Sequence, residues 1–255
     1  MVSPGLLALV LSALPVQPQQ KQLQVAPPPT PTPDAHTLVL KLAAQDKILQ
    51  QHRKNFDYDL LITREKLDDD NKVTDTSTTK VLVQGDHRPD FGTRSGPAAT
   101  TGSPEDESKK ASQEEPFELL KIMDHYTYTV EGQEMVNGTL CYKIAFTPKP
   151  DQPYDNREEK VLNAVSGHLW VSTGNYSLVA NEGALMHPVQ VAWIFASLTQ
   201  MSFRFDAQHM PNGDYAPRRE QYTYLVNIPF FTLHERDTRD FSNFRPINPS
   251  AVQRL

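Results

Sequence analysis

The sequence predicts a mainly β protein, and three observations carry that prediction. First, apolar and polar residues alternate in runs of four or more. Leu140, Tyr142, Ile144 and Phe146 alternate with Cys141, Lys143, Ala145 and Thr147. Met201, Phe203, Phe205 and Ala207 alternate with Ser202, Arg204, Asp206 and Gln208, and Tyr222, Tyr224, Val226 and Ile228 with Gln221, Thr223, Leu225 and Asn227. Period two marks strands with one apolar face. Second, turn residues punctuate these runs at Glu131-Gly132, Asn137-Gly138, Gly174-Asn175 and Pro211-Asn212-Gly213. Third, helical periodicity is almost absent from Tyr126 to Phe244. An antiparallel sheet of this kind either buries its apolar face under helices or offers it to an apolar ligand.

The elements follow in order. Gly5 to Val16 is an apolar stretch of signal-peptide length, too short to span a bilayer, with no Lys or Arg ahead of it. Residues 1–20 therefore read as a signal peptide, with cleavage expected between Leu14 and Gln24 and an exported, periplasmic product without a transmembrane segment. Residues 21–34, rich in Pro and Gln, read as a disordered tether. Asp34 is placed to cap a helix over about 35–52, with Leu38, Leu42, Gln45 and Leu49 on one face and Val39, Ala43 and Ile48 beside it. Phe56, Tyr58, Leu60 and Ile62 then alternate in a first strand. Asp68-Asp69-Asp70-Asn71 turns the chain into a Thr-rich second strand over about 73–83.

Residues 92–115 lack the apolar groups that would offset the entropy of ordering them, and read as a disordered loop. A short helix is expected at 116–125. Residues 156–163 read as a helical turn or a charged edge strand, and 189–198 as a strand or a short apolar helix. The expected organisation is one domain over 35–245 with a C-terminal tail at 246–255.

Composition excludes some functions. The net charge of −6 and the absence of any Lys/Arg-rich run leave no footprint for nucleic acid. The single cysteine, Cys141, has no intrachain partner and reads as a half-buried strand residue. The eight histidines show no ligand spacing, and Asp68, Asp69 and Asp70 lack the glycine and distal glutamate of a calcium loop. No nucleophile elbow, phosphate loop or dinucleotide fingerprint occurs. Glu158 and Glu159 are adjacent and read as a charged edge rather than an acid–base pair. No cofactor, no metal and no catalytic residue is expected. The aromatics remain: Trp193, Phe195, Phe203, Phe205, Tyr222 and Tyr224 are the candidate ligand-binding residues of an apolar face, with Trp170, Phe230 and Phe231 as further candidates.

The strand series also carries a resemblance. Glu131-Gly132-Gln133-Glu134-Met135-Val136-Asn137-Gly138-Thr139-Leu140-Cys141-Tyr142 leads into Ala145-Phe146-Thr147-Pro148-Lys149-Pro150. Gly167-His168-Leu169-Trp170-Val171, Asn175-Tyr176-Ser177-Leu178-Val179 and Phe203-Arg204-Phe205 follow in order. This order and spacing resembles the bacterial outer-membrane lipoprotein-sorting (LolA-like) proteins. The resemblance implies a curved antiparallel half-barrel sheet with a few helices on its concave face. It implies a periplasmic, non-enzymatic, monomeric carrier or binder of lipid or lipoprotein acyl chains. The alternative is a cell-envelope sensor or scaffold module that binds a protein partner along a sheet edge. The lid-latching arginine of sorting proteins has no recognisable counterpart here, and the tether and the long loop are departures from the pattern.

Overall fold

The computed structural model describes residues 33–85, 123–192 and 196–247. The expected signal peptide, tether, 92–115 loop and most of the 116–125 helix lie outside those residues. The described chain is mainly β: ten strands form one open sheet in the order β2-β1-β10-β9-β8-β6-β5-β4-β3, with β7 paired to β8. The strands are β1 (Phe56–Leu67), β2 (Val73–Val83), β3 (Tyr126–Val136), β4 (Thr139–Pro148), β5 (Val165–Ser172), β6 (Leu178–Leu185), β7 (Val189–Ala192), β8 (Ala196–His209), β9 (Tyr215–Ile228) and β10 (Phe231–Pro246). Every ladder is antiparallel.

Helix α1 (Ala35–Arg53) forms where the apolar spacing predicts it, and the Asp34 carboxylate accepts from the Thr37 N–H at 2.8 Å. That bond holds the Asp34 carboxyl below its usual range. Leu38, Val39, Leu42, Ala43 and Leu49 are buried, whereas Ile48 is exposed. Helix α2 (Arg157–Leu162) settles the ambiguity over 156–163. Asn156 accepts from the Glu159 N–H at 2.8 Å while the Glu159 carboxylate accepts from the Asn156 side chain at 3.2 Å. This reciprocal cap makes the segment helical, so Glu158 and Glu159 lie in a first helical turn and not on a charged edge strand.

Local chemistry accounts for the turns. Asn137 and Gly138 both have positive φ, 49° and 80°, as a two-residue hairpin loop between twisted strands requires. Asp68 Oδ1 accepts from the N–H groups of Asp70 and Lys72, which closes the turn from β1 to β2. Glu131-Gly132 is not a turn: the register shifts there and β3 continues with Glu131 as the extra residue of a bulge. The 189–198 segment is strand on both sides, β7 and the start of β8.

Cross-strand pairing sorts the side chains onto two faces. One carries Ile144, Val171, Leu169, Phe146, Phe203, Tyr222 and Leu60 and is here called the helix face, because both helices pack on it. The N-terminal half of α1 packs Leu38, Val39, Leu42 and Ala43 against Ile144 and Val171, with Tyr128, Val130 and Leu169 at the margin. Val161 of α2 joins Tyr126, Phe146, Val165, Val189, Leu198 and Tyr224 in a second cluster. The opposite, outer face carries a ladder of charges. Lys143 and His168 reach Glu131 at 3.1 and 3.3 Å, and Arg204 bridges Glu182 at 3.2 Å and Asp206 at 3.3 Å. The bulge turns Glu131 toward this face, where its pairing with Lys143 holds its carboxyl below the usual range.

Candidate functional site

The site builds from the period-two side chains of β8, β9, β10 and β1 on the helix face. Phe203 pairs with Tyr222, and their ring centroids are 6.4 Å apart. Phe203 lies over Gly183, where a Cβ would come within 2.6 Å of its ring. The absent side chain is therefore the seat for the aromatic one. Phe205 is half-buried and packs against the cluster of Leu49, Val179 and Tyr215. Tyr224 is buried and donates its hydroxyl to Glu235 at 2.7 Å. Burial pushes the Tyr222 phenol up to about 12 and raises that of Tyr224 further, so both keep their protons at neutral pH.

Phe203, Phe205, Tyr222 and Tyr224 thus share one face across two adjacent strands. Trp193 and Phe195 lie outside the described residues. Trp170 is on the outer face, where its indole N–H donates to Glu134. Phe230 and Phe231 sit at the β9–β10 turn, and Phe230 is fully exposed. Cys141 is fully rather than half buried, which pushes its thiol up to about 11 and leaves little reactive thiolate.

The helix face is not apolar throughout, which the alternation alone did not reveal. From β9 onward it carries Glu220, Arg239, Asp237, Arg64 and Glu235 between the aromatic rows and the Tyr58, Leu60, Ile62 and Val83 cluster. Arg239 pairs with Glu220 at 3.7 Å and Arg64 with Asp237 at 3.8 Å. Asp237 is 6% exposed, and its Oδ1 has no hydrogen bond among the described residues. Burial raises its carboxyl above the usual range despite Arg64. Asn181 Oδ1, beside Phe205 in the ladder, is a second buried acceptor without a hydrogen bond among the described residues. The signal for these residues was in β10, whose Glu235, Asp237 and Arg239 put charge on the period-two positions between Leu233 and Phe241.

A small cavity of about 110 Å³ opens on this face, lined by Ile62, Arg64, Ser77 and Thr79. A larger depression of about 490 Å³ lies on the outer face over Ala145, Ser166, Ala184 and Ser202, edged by His168, Glu182 and Arg204. Its charged groups are already paired with one another. Among the described residues no group of His, Cys, Asp or Glu is arranged to hold a metal ion, and no helix is long and apolar enough to cross a membrane.

No protein-family model matches the chain, and no curated protein matches its sequence. Among solved structures, a DUF1329 family protein from Desulfovibrio piger is similar at 12% identity and a TM-score of 0.36, over 87% of this chain and 100% of that one. A LolA superfamily protein from Nitrosomonas europaea is similar at 11% identity and a TM-score of 0.36, over 87% and 97%. A putative outer membrane lipoprotein-sorting protein domain from Vibrio parahaemolyticus is similar at 11% identity and a TM-score of 0.34, over 86% and 96%. These neighbours include the group that the strand series resembles. Likeness this loose leaves function to be argued from the chain's own residues.

Proposed function

We propose that this chain is a periplasmic, non-enzymatic carrier or binder of lipid or acylated cargo. The observation that supports the reading is the helix face itself, where half-buried Tyr128, Leu169, Phe203 and Tyr222 and buried Phe146 form an apolar wall on which α1 and α2 pack. The mechanism is exchange. An acyl chain takes the place of the Leu38, Val39 and Leu42 side chains of α1. Each of those is worth about 1.5–3 kcal/mol buried, and each methylene about 0.8 kcal/mol, so roughly six to eleven methylenes balance the three. Near balance, cargo is held and can still be handed on. Two polar ties would set the position of the helix. Lys41 Nζ lies 3.3 Å from the Tyr176 hydroxyl and 4.4 Å from its ring centroid, and His52 Nδ1 lies 2.7 Å from Asp214.

The test is titration with a fluorescent fatty acid, followed by hydrogen exchange. Probe binding should speed exchange of the α1 amides while the sheet stays protected. Phe205→Glu should abolish binding, because it sets a charge against the chain. Ser202→Glu, on the outer face, should leave binding unchanged, and thermal melting of both variants separates lost binding from lost folding. Absence of probe binding by the wild-type chain would sink the carrier reading.

The second reading, a module that binds a protein partner along an edge, has its own surface. Edge strand β2 is exposed at every residue from Val73 to Lys80.

A further inference from the structure

We propose that Arg64 is the head-group anchor of the ligand site. It binds the oxyanion of a single-chain amphiphile, a carboxylate or a phosphate, whose chain runs over Tyr222 and Phe203. This rests on the lipid-binding reading above and names the chemistry of the ligand.

Four observations carry it. Arg64 lies on the helix face of β1, paired with Asp237 on one side and Ser77 on the other. Arg64 lines the cavity of about 110 Å³ together with Ile62, Ser77 and Thr79. That places a planar cation with five N–H donors and two hydroxyls around one opening, the donor set that suits an oxyanion. Among the described residues the Arg64 side chain makes no hydrogen bond; its one ion pair, to Asp237, is 3.8 Å long. Its side chain is 41% exposed, so ligand can reach it. The other charges of this face differ. Arg239 is paired with Glu220, and Glu235 accepts from Tyr224.

Asp237 is the positioning residue behind the anchor. It is too buried to meet ligand. Burial raises its carboxyl above the usual range even beside Arg64.

The ladder sets the path of the chain. Arg64, Asp237, Tyr222 and Phe203 are successive partners across β1, β10, β9 and β8. Three strand spacings span roughly 14 Å. A chain anchored at Arg64 therefore crosses the half-buried rings of Tyr222 and Phe203 to reach the apolar half of the face.

The experiment uses the whole chain and three probes with one alkyl chain, ending in a carboxylate, a phosphate or a hydroxyl. Inorganic phosphate alone is the chainless control. The two anions should bind about tenfold to a hundredfold more tightly than the alcohol, as hydrogen bonding to a charged partner dictates. Arg64→Gln should bring both anions to the affinity of the alcohol and leave the alcohol unchanged. The double variant Arg64→Gln with Asp237→Asn, which removes the unpaired buried acid, should bind like Arg64→Gln and guards against misfolding. Arg64→Lys should keep most of the preference. Equal affinity of acid and alcohol for the wild-type chain, or a preference that survives Arg64→Gln, overturns the anchor while lipid binding stands. Inorganic phosphate that binds as tightly as the alkyl phosphate overturns the amphiphile. If no probe binds, the functional reading fails and the anchor with it.

Discussion

Phe230 holds a left-handed backbone, φ +80°, at the Pro229-Phe230 loop between β9 and β10, with its side chain fully exposed. A bulky L residue is strained there, by about 1–2 kcal/mol, and an exposed ring gains nothing from packing to offset it. Phe230→Gly should therefore stabilise the chain by about 0.5–1 kcal/mol, after the extra backbone entropy of glycine when unfolded is counted. A shift of the urea midpoint checks this; a lower midpoint would mean the ring has a partner. Asp237 makes a second residue-scale prediction. Its folded pKa is raised above the unfolded value of 3.8 by burial. The folded state thus holds that proton more tightly, which favours folding below pH 3.8 and loses its effect as pH rises through the higher folded value. Asp237→Asn removes the penalty. Its stability relative to wild type should increase as pH rises above 3.8 and fade toward acid, in urea melts from pH 3 to 7. An advantage that is flat with pH would show that Asp237 ionises normally.

At the scale of elements, the β5–β6 pairing depends on one glycine. A Cβ at Gly167 would come 1.9 Å from the Glu182 carbonyl oxygen. That atom is backbone, so no rotamer relieves the clash, and the strands must separate. Gly167→Ala should cost more than about 3 kcal/mol or prevent folding, well above the usual range for a single substitution. Gly174→Ala is the control: its Cβ would meet only Ser172 Oγ at 3.7 Å, an ordinary contact. Equal melting of the two variants would refute the close approach. Helix α1 shows the complementary case, where the element is held by packing. Leu42 is 1% exposed, and its apolar neighbours on β4 and β5 are the surface an acyl chain would claim.

At the scale of the whole molecule, the sheet is open and its two edges differ from its centre. Strands β8 and β9, 14 residues each, pair along most of their length and have a strand on either side. Among the described residues strand β2 pairs on one side only, and it is exposed at nearly every position. Amide exchange should be slowest in β8 and β9 and fastest on the unpaired side of β2. Uniform protection of β2 would show another chain covering that edge, which is what the protein-partner reading expects.

The sequence by itself determined the local structure. Alternation placed the start of β1, Thr-rich composition placed β2, Asp34 and the apolar spacing placed α1, and Asn137-Gly138 placed a hairpin. It also determined that Phe203, Phe205, Tyr222 and Tyr224 lie on the apolar faces of their strands, because period two needs no knowledge of neighbours. The cap that makes 157–162 a helix was legible as well, in Asn156 and Glu159, though the charge run disguised it. Tertiary structure decided the rest. It set β10 beside β1, some 180 residues away, and so brought Asp237 against Arg64. It put Trp170 on the outer face and turned an apparent Glu131-Gly132 turn into a bulge. It divided the helix face into an apolar half under α1 and α2 and a half that carries charge. The physical reason is that alternation fixes which residues of a strand share a face, whereas the strand that pairs beside it, and what then covers that face, depends on contacts between distant parts of the chain.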